Sequence, residues 1–446
     1  MIADLKPYTE YKESGLPWLG QVPRHWDVRR LKQVARLAYG DSLPRTGRKE
    51  GTVPVFGSNG RVGWHTESNT LAPCIIVGRK GSFGKINFSC DPSFVIDTAF
   101  YVDRRIAGVD IRWLFFMLGW LRLDGVSKDS AVPGLDREDA YQRMLTLPSP
   151  AEQAAIVRYL DWANGRLERA IRAKRKVIAL LNEQKQAIIH RAVTRGLDPS
   201  VPLKPSGIPW LGDIPRHWAL RRFKFLATIN SGQVDPRKPI YRDLVLIAPN
   251  HIERGSGRIL AQETAAAQGA DSGKYLVSRG QVVYSKIRPN LRKATIAPSD
   301  CLCSADMYPI TPKTRELSAE YFLQLLLSQS FTKFAVDASM RVAMPKVNRE
   351  ALADCPLWFP SVAEQTKIVD FVSRESAPIG NAISRLEREI ELLREYRTRL
   401  VADVVTGKLD VREAVTRLPE EAALDIAVDD TDLSDETEPA DEEAVA

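Results

Sequence analysis

Apolar residues recur in heptads along two stretches of the chain, about 166–195 and 379–405. The heptad positions hold Leu167, Ile171, Ile178, Leu181, Ile188 and Ala192 in the first stretch and Ile379, Ile383, Leu386, Ile390, Leu393, Leu400 and Val404 in the second. Because the two stripes share one register, they predict two long antiparallel helices in a coiled coil. Two amphipathic helices, each packed on its own domain, are the alternative.

A helix-start signal precedes each long helix. Ser149-Pro-Ala-Glu152 and Ser361-Val-Ala-Glu364 are both capping boxes, with Ser at the N-cap and Glu at N3. We predict a short helix after each box, broken at Asn164-Gly165 in the first stretch and around Pro378 in the second.

The chain contains an internal duplication. Residues 14–37 recur at 206–229 with 14 of 24 positions identical, and residues 147–198 recur without a gap at 359–410 with 17 of 52 identical. The segments between these repeats show little similarity to each other. The two repeated segments together are called the frame. The sequence therefore predicts two copies of this frame, arranged with pseudo-twofold symmetry, and each copy holds a different insert.

The inserts are predicted to form small mixed lobes. The expected elements are strands at 74–77 and 95–102 with a helix at 109–123 in the insert 38–132, and strands at 281–284 and 307–310 with a helix at 318–334 in the insert 230–344. The predicted fold class is α+β, with two mixed α/β lobes joined by the two long helices. The predicted domains are a first lobe at 1–146, a central helical spacer at 147–198, a second lobe at 199–358, a C-terminal helical spacer at 359–412 and an acidic tail at 413–446.

Charge is distributed unevenly along the chain. The 446 residues include 63 Lys and Arg and 56 Asp and Glu, for a net charge of +7. Residues 418–446 hold twelve acids and no base, so the remainder has 63 basic and 44 acidic residues. A body this basic favours nucleic acid as a partner, although a solvated basic surface has the same composition. The acidic tail has the composition of a disordered segment.

Several protein classes are excluded by composition. The longest apolar run, 113–121, is nine residues and too short to span a bilayer. The first residues lack the apolar region of a secretory signal. The five cysteines have no metal-ligand spacing and are too few for a disulfide framework. We therefore expect a cytoplasmic protein in a reducing compartment, without membrane association.

Two basic loops follow predicted strands. Gly78-Arg-Lys-Gly-Ser-Phe-Gly84-Lys85 is close to a phosphate-binding loop, but its glycines are six residues apart rather than five. Ile86 also replaces the Ser or Thr that would bind magnesium, so we reject an ATPase. The loop at 284–293 occupies the corresponding place in the second lobe. Loops of this kind suit phosphate contact or base-edge readout, and a solvated turn is the alternative.

No catalytic site is predicted in this chain. Asp91-Pro-Ser-Phe94 resembles the Asp-Pro-Pro-Tyr type motif of adenine methyltransferases but lacks the second proline, and no glycine-rich cofactor loop precedes it. His25 and His217 recur in Pro-Arg-His-Trp, and this repetition beside a tryptophan favours a packed corner over a general base. No clustered carboxylates indicate a nuclease metal site.

Motifs of the frame and of the inserts together indicate a family. Pro-Trp-Leu-Gly…Pro-Arg-His-Trp occurs at 17–26 and 209–218, and a capped Ala-Glu-Gln helix with a long terminal helix follows each insert. The insert motifs are Gly57-Ser-Asn-Gly60, Val77-Gly-Arg-Lys-Gly-Ser82, Tyr284-Ser-Lys-Ile-Arg-Pro-Asn290 and Met340-Arg-Val-Ala-Met-Pro345. In this combination, over about 10–410, the chain resembles the specificity (S) subunit of type I restriction–modification systems.

The resemblance implies a non-catalytic role in an enzyme complex. The two inserts would be target recognition domains, each reading one half of a bipartite site in double-stranded DNA, and their difference predicts an asymmetric site. The frames would set the gap between the half-sites and dock two methyltransferase (M) subunits, which a restriction (R) subunit can join. This chain would hold no cofactor and no metal, whereas the partner subunits would bind S-adenosylmethionine, ATP and magnesium.

Thirteen side chains are the candidate DNA contacts. They are Asn59, Arg61, Arg79, Lys80, Ser82 and Lys85 in the first lobe and Ser285, Lys286, Arg288, Asn290, Arg292, Lys293 and Arg341 in the second. A stand-alone DNA adenine methyltransferase and a helical scaffold without a DNA role are the alternative functions.

Overall fold

Two compact units make up the protein. The computed structural model describes residues 5–125, 134–313, 315–339 and 346–419. Unit 1 consists of Met1–Lys174 with Arg388–Ala446, and unit 2 consists of Arg175–Glu387. In the described part of the chain the helices are α1 Leu31–Val34, α2 Ile111–Leu121, α3 Arg137–Tyr141, α4 Pro150–Arg195, α5 Phe223–Leu226, α6 Pro239–Arg242, α7 Ala319–Leu327, α8 Gln329–Ser339, α9 Arg349–Asp354, α10 Val362–Val405 and α11 Arg412–Thr416.

The strands divide between the units. Unit 1 holds β1 Tyr11–Glu13, β2 Gln21–Pro23, β3 Asp27–Arg30, β4 Ala38–Tyr39, β5 Val53–Gly57, β6 Gly60–His65, β7 Cys74–Gly78, β8 Ile86–Ser89, β9 Phe94–Val95, β10 Ala99–Asp103 and β11 Met144–Leu147. Unit 2 holds β12 Leu203–Pro205, β13 Asp213–Pro215, β14 Ala219–Arg222, β15 Ala227–Ile229, β16 Gln233–Val234, β17 Leu246–Ile247, β18 Lys274–Val277, β19 Val282–Ser285, β20 Ala294–Ile296, β21 Cys301–Cys303, β22 Met307–Pro312 and β23 Pro356–Phe359.

The first lobe is built on an antiparallel sheet of order β4-β10-β7-β8. Strand β7 is an uninterrupted apolar run and is buried along its whole length, as a central strand must be. Helix α2 begins where the Asp110 carboxylate accepts a hydrogen bond from the Trp113 amide, and its apolar residues join Ile75 and Val77 in one core. A three-stranded sheet, β6-β5-β9, carries the hairpin of this lobe.

The second lobe contains an equivalent sheet of order β15-β22-β19-β20 and a further sheet of order β16-β18-β21-β17. The predicted helix at 318–334 is in fact two helices, α7 and α8. Ser318 caps α7, and the Ser328 hydroxyl accepts a hydrogen bond from the Phe331 amide at the start of α8. The predicted strand at 95–102 is likewise divided between β9 and β10. The remaining predicted elements of both inserts are confirmed to within a few residues.

The predicted breaks in the long helices are wrong. Helix α4 runs for 46 residues through Asn164-Gly165, and α10 runs for 44 residues with Pro378 inside it. An interior glycine costs about 1 kcal/mol and an interior proline about 3 kcal/mol relative to alanine. Burial of apolar side chains on both sides of each position outweighs that cost; these side chains are Leu160, Ala163, Leu167, Ile171, Val372 and Ile379.

Helices α4 and α10 pack against each other in antiparallel order within unit 1. The Lys174 ammonium lies 2.5 Å from a Glu389 carboxylate oxygen, and the Arg397 guanidinium lies 3.4 Å from Glu168. Because the residue number falls along α4 as it rises along α10, the two helices run in opposite directions. The predicted heptad positions are confirmed in unit 1, where Leu167, Ile171, Ile390, Leu400 and Val404 are buried.

The two helices also share a core in unit 2. Ile189, Ala192 and Val193 of α4 belong to the same buried cluster as Ile368 and Val372 of α10. The predicted heptad residues that lie in unit 2 are buried or half-buried. The paired arrangement therefore holds in each unit, rather than two helices packed separately on their own lobes.

The folded frame extends beyond the predicted start of the acidic tail. Helix α11, Arg412–Thr416, crosses the predicted boundary between residues 412 and 413, and an Arg158 guanidinium N–H donates a hydrogen bond to the Leu418 carbonyl at 3.3 Å. The tail from 420 to 446 lies outside the described residues.

Candidate nucleic-acid interface

The repeated Pro-Arg-His-Trp motif is joined to the capped helix of each copy. In the first copy, the Glu152 carboxylate binds His25 Nε2 at 2.8 Å and accepts a hydrogen bond from the buried Trp26 indole at 3.2 Å. In the second, Glu364 binds His217 Nε2 at 2.7 Å and accepts from the Trp218 indole at 3.0 Å. The tryptophans are therefore packed in a corner, as predicted, and each histidine is half-exposed and hydrogen-bonded to the edge of that corner.

The next residue of each capped helix is joined to the adjacent lobe. The side-chain oxygen of Gln153 accepts from the backbone amide of Asp110, the N-cap residue of α2, at 3.0 Å. Gln365 accepts in the same way from the amide of Ser318, the N-cap residue of α7, at 2.8 Å. The repeated Ala-Glu-Gln thus positions each lobe's main helix relative to its frame.

Four predicted side chains of the first lobe lie on the loop 79–85, between β7 and β8. Lys80, Ser82 and Lys85 are exposed, and Arg79 is half-buried. The Arg79 guanidinium lies 4.9 Å from the centroid of the Tyr39 ring and donates a hydrogen bond to the Asp97 carbonyl at 3.1 Å. The Arg79 side chain thus contacts a ring and a carbonyl of its own lobe, whereas the Lys80 and Ser82 side chains are exposed to solvent.

The hairpin β5–β6 meets this loop. The Lys85 ammonium donates hydrogen bonds to the backbone carbonyl and the side-chain oxygen of Asn59, at 2.8 and 2.9 Å. The Arg61 guanidinium lies 4.7 Å from the centroid of the exposed Trp64 ring. The structure therefore brings Asn59 directly to the loop and places Arg61 on the same hairpin.

Tight packing explains the glycine spacing of the loop. Gly84 has a φ of +74°, and a Cβ atom there would lie 2.2 Å from the backbone nitrogen of Asp124. A Cβ at Gly78 would lie 2.1 Å from the Ser82 carbonyl oxygen. The glycines that resemble a nucleotide-binding motif are therefore required by the fold of the lobe itself.

Two residues beside the loop were not predicted from the sequence. The Tyr39 ring lies under Arg79, and it also lies 4.9 Å from the Arg137 guanidinium. Tyr39 is 46% exposed, so two cations share one accessible aromatic ring. Arg137 could have been found from the sequence, because it recurs as Arg349 at the spacing of the frame. Tyr39 could not, because only strand pairing places it there.

In the second lobe, Lys286, Arg288 and Asn290 lie on the loop after β19, and Arg288 and Asn290 are exposed. The Lys286 ammonium donates to the Ala305 carbonyl at 2.6 Å and lies 5.6 Å from the centroid of the Tyr308 ring. Burial raises the pKa of the Tyr308 hydroxyl, and the positive charge of the nearby Arg349 guanidinium opposes that rise. Tyr308 thus lies against the Lys286 side chain and Arg349 against the Tyr308 ring; both support the loop, and neither was predicted from the sequence.

Three other predicted side chains of the second lobe have different surroundings. Ser285 is buried, and its hydroxyl donates to the Ile287 carbonyl at 3.1 Å, so it shapes the loop and does not face solvent. The half-buried Arg292 guanidinium donates a hydrogen bond to Gln186 of α4, and burial lowers its pKa. Lys293 is half-buried. Arg341 lies outside the described residues.

Strand register makes the two loops equivalent. Phe100 of β10 pairs with Val77 of β7, and Tyr308 of β22 pairs with Tyr284 of β19. Arg79 lies two residues after Val77, and Lys286 lies two residues after Tyr284. The two loops therefore occupy the same place in sheets of the same order, although their sequences are dissimilar.

The described residues contain neither a metal-binding cluster nor a membrane-spanning helix. No group of three or more His, Cys, Asp or Glu side chains in that part of the chain is arranged to hold a metal ion. None of the helices described there is long and apolar enough to cross a membrane.

The chain is similar to known specificity subunits of type I restriction enzymes. Residues 217–392 match the family model of the type I restriction modification DNA specificity domain. The chain is 26% identical over 443 residues to the type I restriction enzyme EcoDI specificity subunit of Escherichia coli, a match that covers 91% of this chain and 97% of that one. It is 19% identical over 440 residues to the MjaIX specificity subunit of Methanocaldococcus jannaschii, covering 91% and 98%.

A solved structure shares the fold. It comes from a study of complex assembly and conformational transition of the type I R-M system, and it superposes with a TM-score of 0.59 at 12% identity over 87% of this chain and 99% of that one. Residues 217–392 therefore match a type I restriction modification DNA specificity domain, and the whole chain is similar in sequence to type I specificity subunits.

Proposed function

We propose that the two lobes read the two different halves of an asymmetric, bipartite DNA sequence for partner enzymes, and that this chain performs no catalysis itself. The observation that carries the proposal is the equivalence of the loops after β7 and β19. Dissimilar sequences at the same place in two equivalent sheets are what a reader of two different half-sites requires.

The exposed polar side chains of these loops are the proposed DNA contacts. Lys80, Ser82 and Lys85, with the half-buried Arg79, form one set, and the exposed Arg288 and Asn290, with Lys286, form the other. Asn59 and Arg61 extend the first set along the hairpin. Lysine and serine suit phosphate oxygens, whereas arginine and asparagine can also read base edges in the major groove. Buried Ser285 and the Gln186-bound Arg292 are not included.

The proposed role of α4 and α10 is to set the half-site spacing and to dock two methyltransferase subunits. Leu180 on α4 and Leu392 on α10 occupy the same position of the duplicated frame, and their exposed fractions are 56% and 58%. A large apolar residue exposed at the same position of both copies supports docking of two identical partners. Substitution of either leucine with Asp should weaken the binding of one methyltransferase subunit and not of both.

We also propose where the remaining chemistry takes place. The partner subunits would bind S-adenosylmethionine, ATP and magnesium, and a restriction subunit can complete the assembly. The methylated adenine would be flipped out of the duplex into a partner's active site. The complex would work in the cytoplasm, where the chromosome is its substrate.

Transfer of labelled methyl groups tests this division of labour. The purified full chain is incubated with DNA and labelled S-adenosylmethionine, alone and with its co-expressed methyltransferase. We expect transfer only with the partner present. Transfer by the chain alone would instead identify a stand-alone methyltransferase. DNA binding that does not weaken with salt would favour a scaffold role, since each neutralised phosphate contributes a slope of about −0.9.

A further inference from the structure

The segment just before α3 contacts the loop of the first lobe in the same way as the segment just before α9 contacts the loop of the second. The Leu135 amide donates a hydrogen bond to the Arg79 carbonyl at 2.8 Å, and the Val347 amide donates to the Lys286 carbonyl at 2.8 Å. Leu135 and Val347 occupy the same position of the frame. A repeated segment is therefore hydrogen-bonded directly to a loop whose sequence differs between the lobes.

The arginine two residues further on reaches the same aromatic ring as the loop cation. In the first lobe, the guanidinium groups of Arg79 and Arg137 each lie 4.9 Å from the Tyr39 ring centroid. In the second, Lys286 lies 5.6 Å and Arg349 5.2 Å from the Tyr308 ring centroid. Each lobe thus holds one cation from its variable loop and one from its frame against a shared ring.

The two frame arginines differ in their hydrogen bonds. Arg349 donates to the carbonyls of Ile229 and Asn230, at 3.2 and 2.9 Å, so its guanidinium is used to join α9 to β15 and the residue after it. The Arg137 Nε has no hydrogen-bond partner in the described part of the chain. Its ion-pair partner Glu138 lies 3.8 Å away at the surface, and the Arg137 side chain is 37% exposed.

Two guanidinium groups contact one ring, and a cation–π contact neutralises neither of the two positive charges. An anion is the ligand that would complete the charge balance, and an arginine fork matches phosphate oxygens in geometry. Given the proposed function of this lobe, the anion available there is the DNA backbone.

We propose that Arg137 is a DNA phosphate-binding residue of the first lobe, held in place with Arg79 by the ring of Tyr39, and that its counterpart Arg349 is a positioning residue. This inference rests on the proposed function. It assigns sequence-independent anchoring to the frame arginine and leaves the reading of bases to the variable loop and the β5–β6 hairpin.

Binding of the full chain to two duplexes tests the assignment. One duplex has random sequence, and the other is the tightest binder selected from a randomised duplex library; affinity is measured by fluorescence anisotropy over a series of salt concentrations. We expect Arg137→Gln to weaken binding to both duplexes by the same factor, roughly tenfold. The salt slope should fall by about 0.9 for the lost phosphate contact.

Three matched variants distinguish a residue that contacts DNA from a residue that only supports the fold. Tyr39→Phe keeps the ring and should bind DNA as the wild type does, whereas Tyr39→Leu should reproduce part of the Arg137→Gln loss. Arg349→Gln should lower the melting temperature of the chain, because two carbonyls lose their donor, but it should leave the salt slope unchanged.

The possible failures are distinguishable. Wild-type affinity and salt slope in a folded Arg137→Gln variant would overturn the proposal, and so would a loss confined to the selected duplex, which would make Arg137 a base reader. If instead the wild-type chain selects no sequence from the library, alone or with its methyltransferase, the proposed function itself fails.

Discussion

Removal of the Glu152 carboxylate should destabilise the chain more than removal of its counterpart Glu364. Both carboxylates accept hydrogen bonds from a histidine and from a tryptophan indole at similar distances. Glu152 is 8% exposed and also accepts a hydrogen bond from the Ser149 hydroxyl at 3.0 Å, whereas Glu364 is 27% exposed. The same substitution should therefore cost more stability at Glu152, because this carboxylate is more buried than that of Glu364 and accepts an additional hydrogen bond from the Ser149 hydroxyl.

The magnitude follows from the groups left unpaired. In Glu152→Ala, the fully buried Trp26 indole N–H loses its acceptor, which costs about 1–3 kcal/mol. Loss of the capping box adds about 1 kcal/mol, and the half-exposed His25 adds less than about 1 kcal/mol. We expect a total loss of roughly 3–4 kcal/mol for Glu152→Ala and about 2 kcal/mol for Glu364→Ala.

Urea unfolding monitored by tryptophan fluorescence measures the free energy of unfolding, and hydrogen exchange at the first turns of α4 and α10 locates the loss. Glu152→Gln is the matched control, because its amide oxygen can still accept from the indole. A loss below about 0.5 kcal/mol in Glu152→Ala, the size of an ordinary surface substitution, would refute the assignment of the corner as a structural junction.

The pH dependence of the same variants gives an independent check. Burial alone would raise the pKa of Glu152, but hydrogen bonds from His25, Trp26 and Ser149 lower it below its ordinary value of 4.5. A pKa lowered by folding contributes stability that is present above the unfolded value and is lost as the pH falls through the folded one. Below pH 4.5, the wild type should therefore lose stability faster than Glu152→Gln.

Three further outcomes follow from the helices and the loop. Gly165→Ala should stabilise the chain by about 0.5–1 kcal/mol, because it removes a glycine from a helix interior and its new Cβ would meet only the Arg169 guanidinium, at an ordinary contact distance of 3.7 Å; a lower melting temperature would contradict this. Lys174→Glu should destabilise the chain, and Glu389→Lys in the same chain should restore about 0.5–1 kcal/mol, measured as the coupling in a double-mutant cycle. Gly84→Ala should destabilise the chain by more than about 2 kcal/mol, because its Cβ would overlap the Asp124 backbone. Gly81→Ala has the same φ, but its Cβ would meet only the Ser58 hydroxyl at an ordinary contact distance of 3.7 Å, so it should cost about 1 kcal/mol in the same melting assay.

The regular elements could be predicted from local pattern. The heptads marked both long helices, and the capping boxes marked where they begin. The breaks at Asn164-Gly165 and Pro378 were wrong because local propensity opposes packing there, and the apolar faces of the same helices decide the outcome.

The candidate site was predicted in part, and the difference lies in non-local contacts. The loops after β7 and β19 were found because basic residues followed an apolar run. The burial of Ser285 could not be predicted because it depends on how the strand that ends there packs, and the hydrogen bond of Arg292 could not be predicted because its partner Gln186 is distant in sequence. Tyr39 was missed because only the pairing of β4 with β10 brings it to Arg79.

The most direct test of two different reading heads is the map of methylated adenines in cells that express the chain with its methyltransferase. The wild type should methylate an asymmetric sequence of two short halves separated by a fixed number of unread base pairs. Changing Arg288 and Asn290 together should alter the preferred bases of one half and leave the other half and the gap unchanged. A palindromic or continuous wild-type sequence, or a variant that alters both halves at once, would contradict the account.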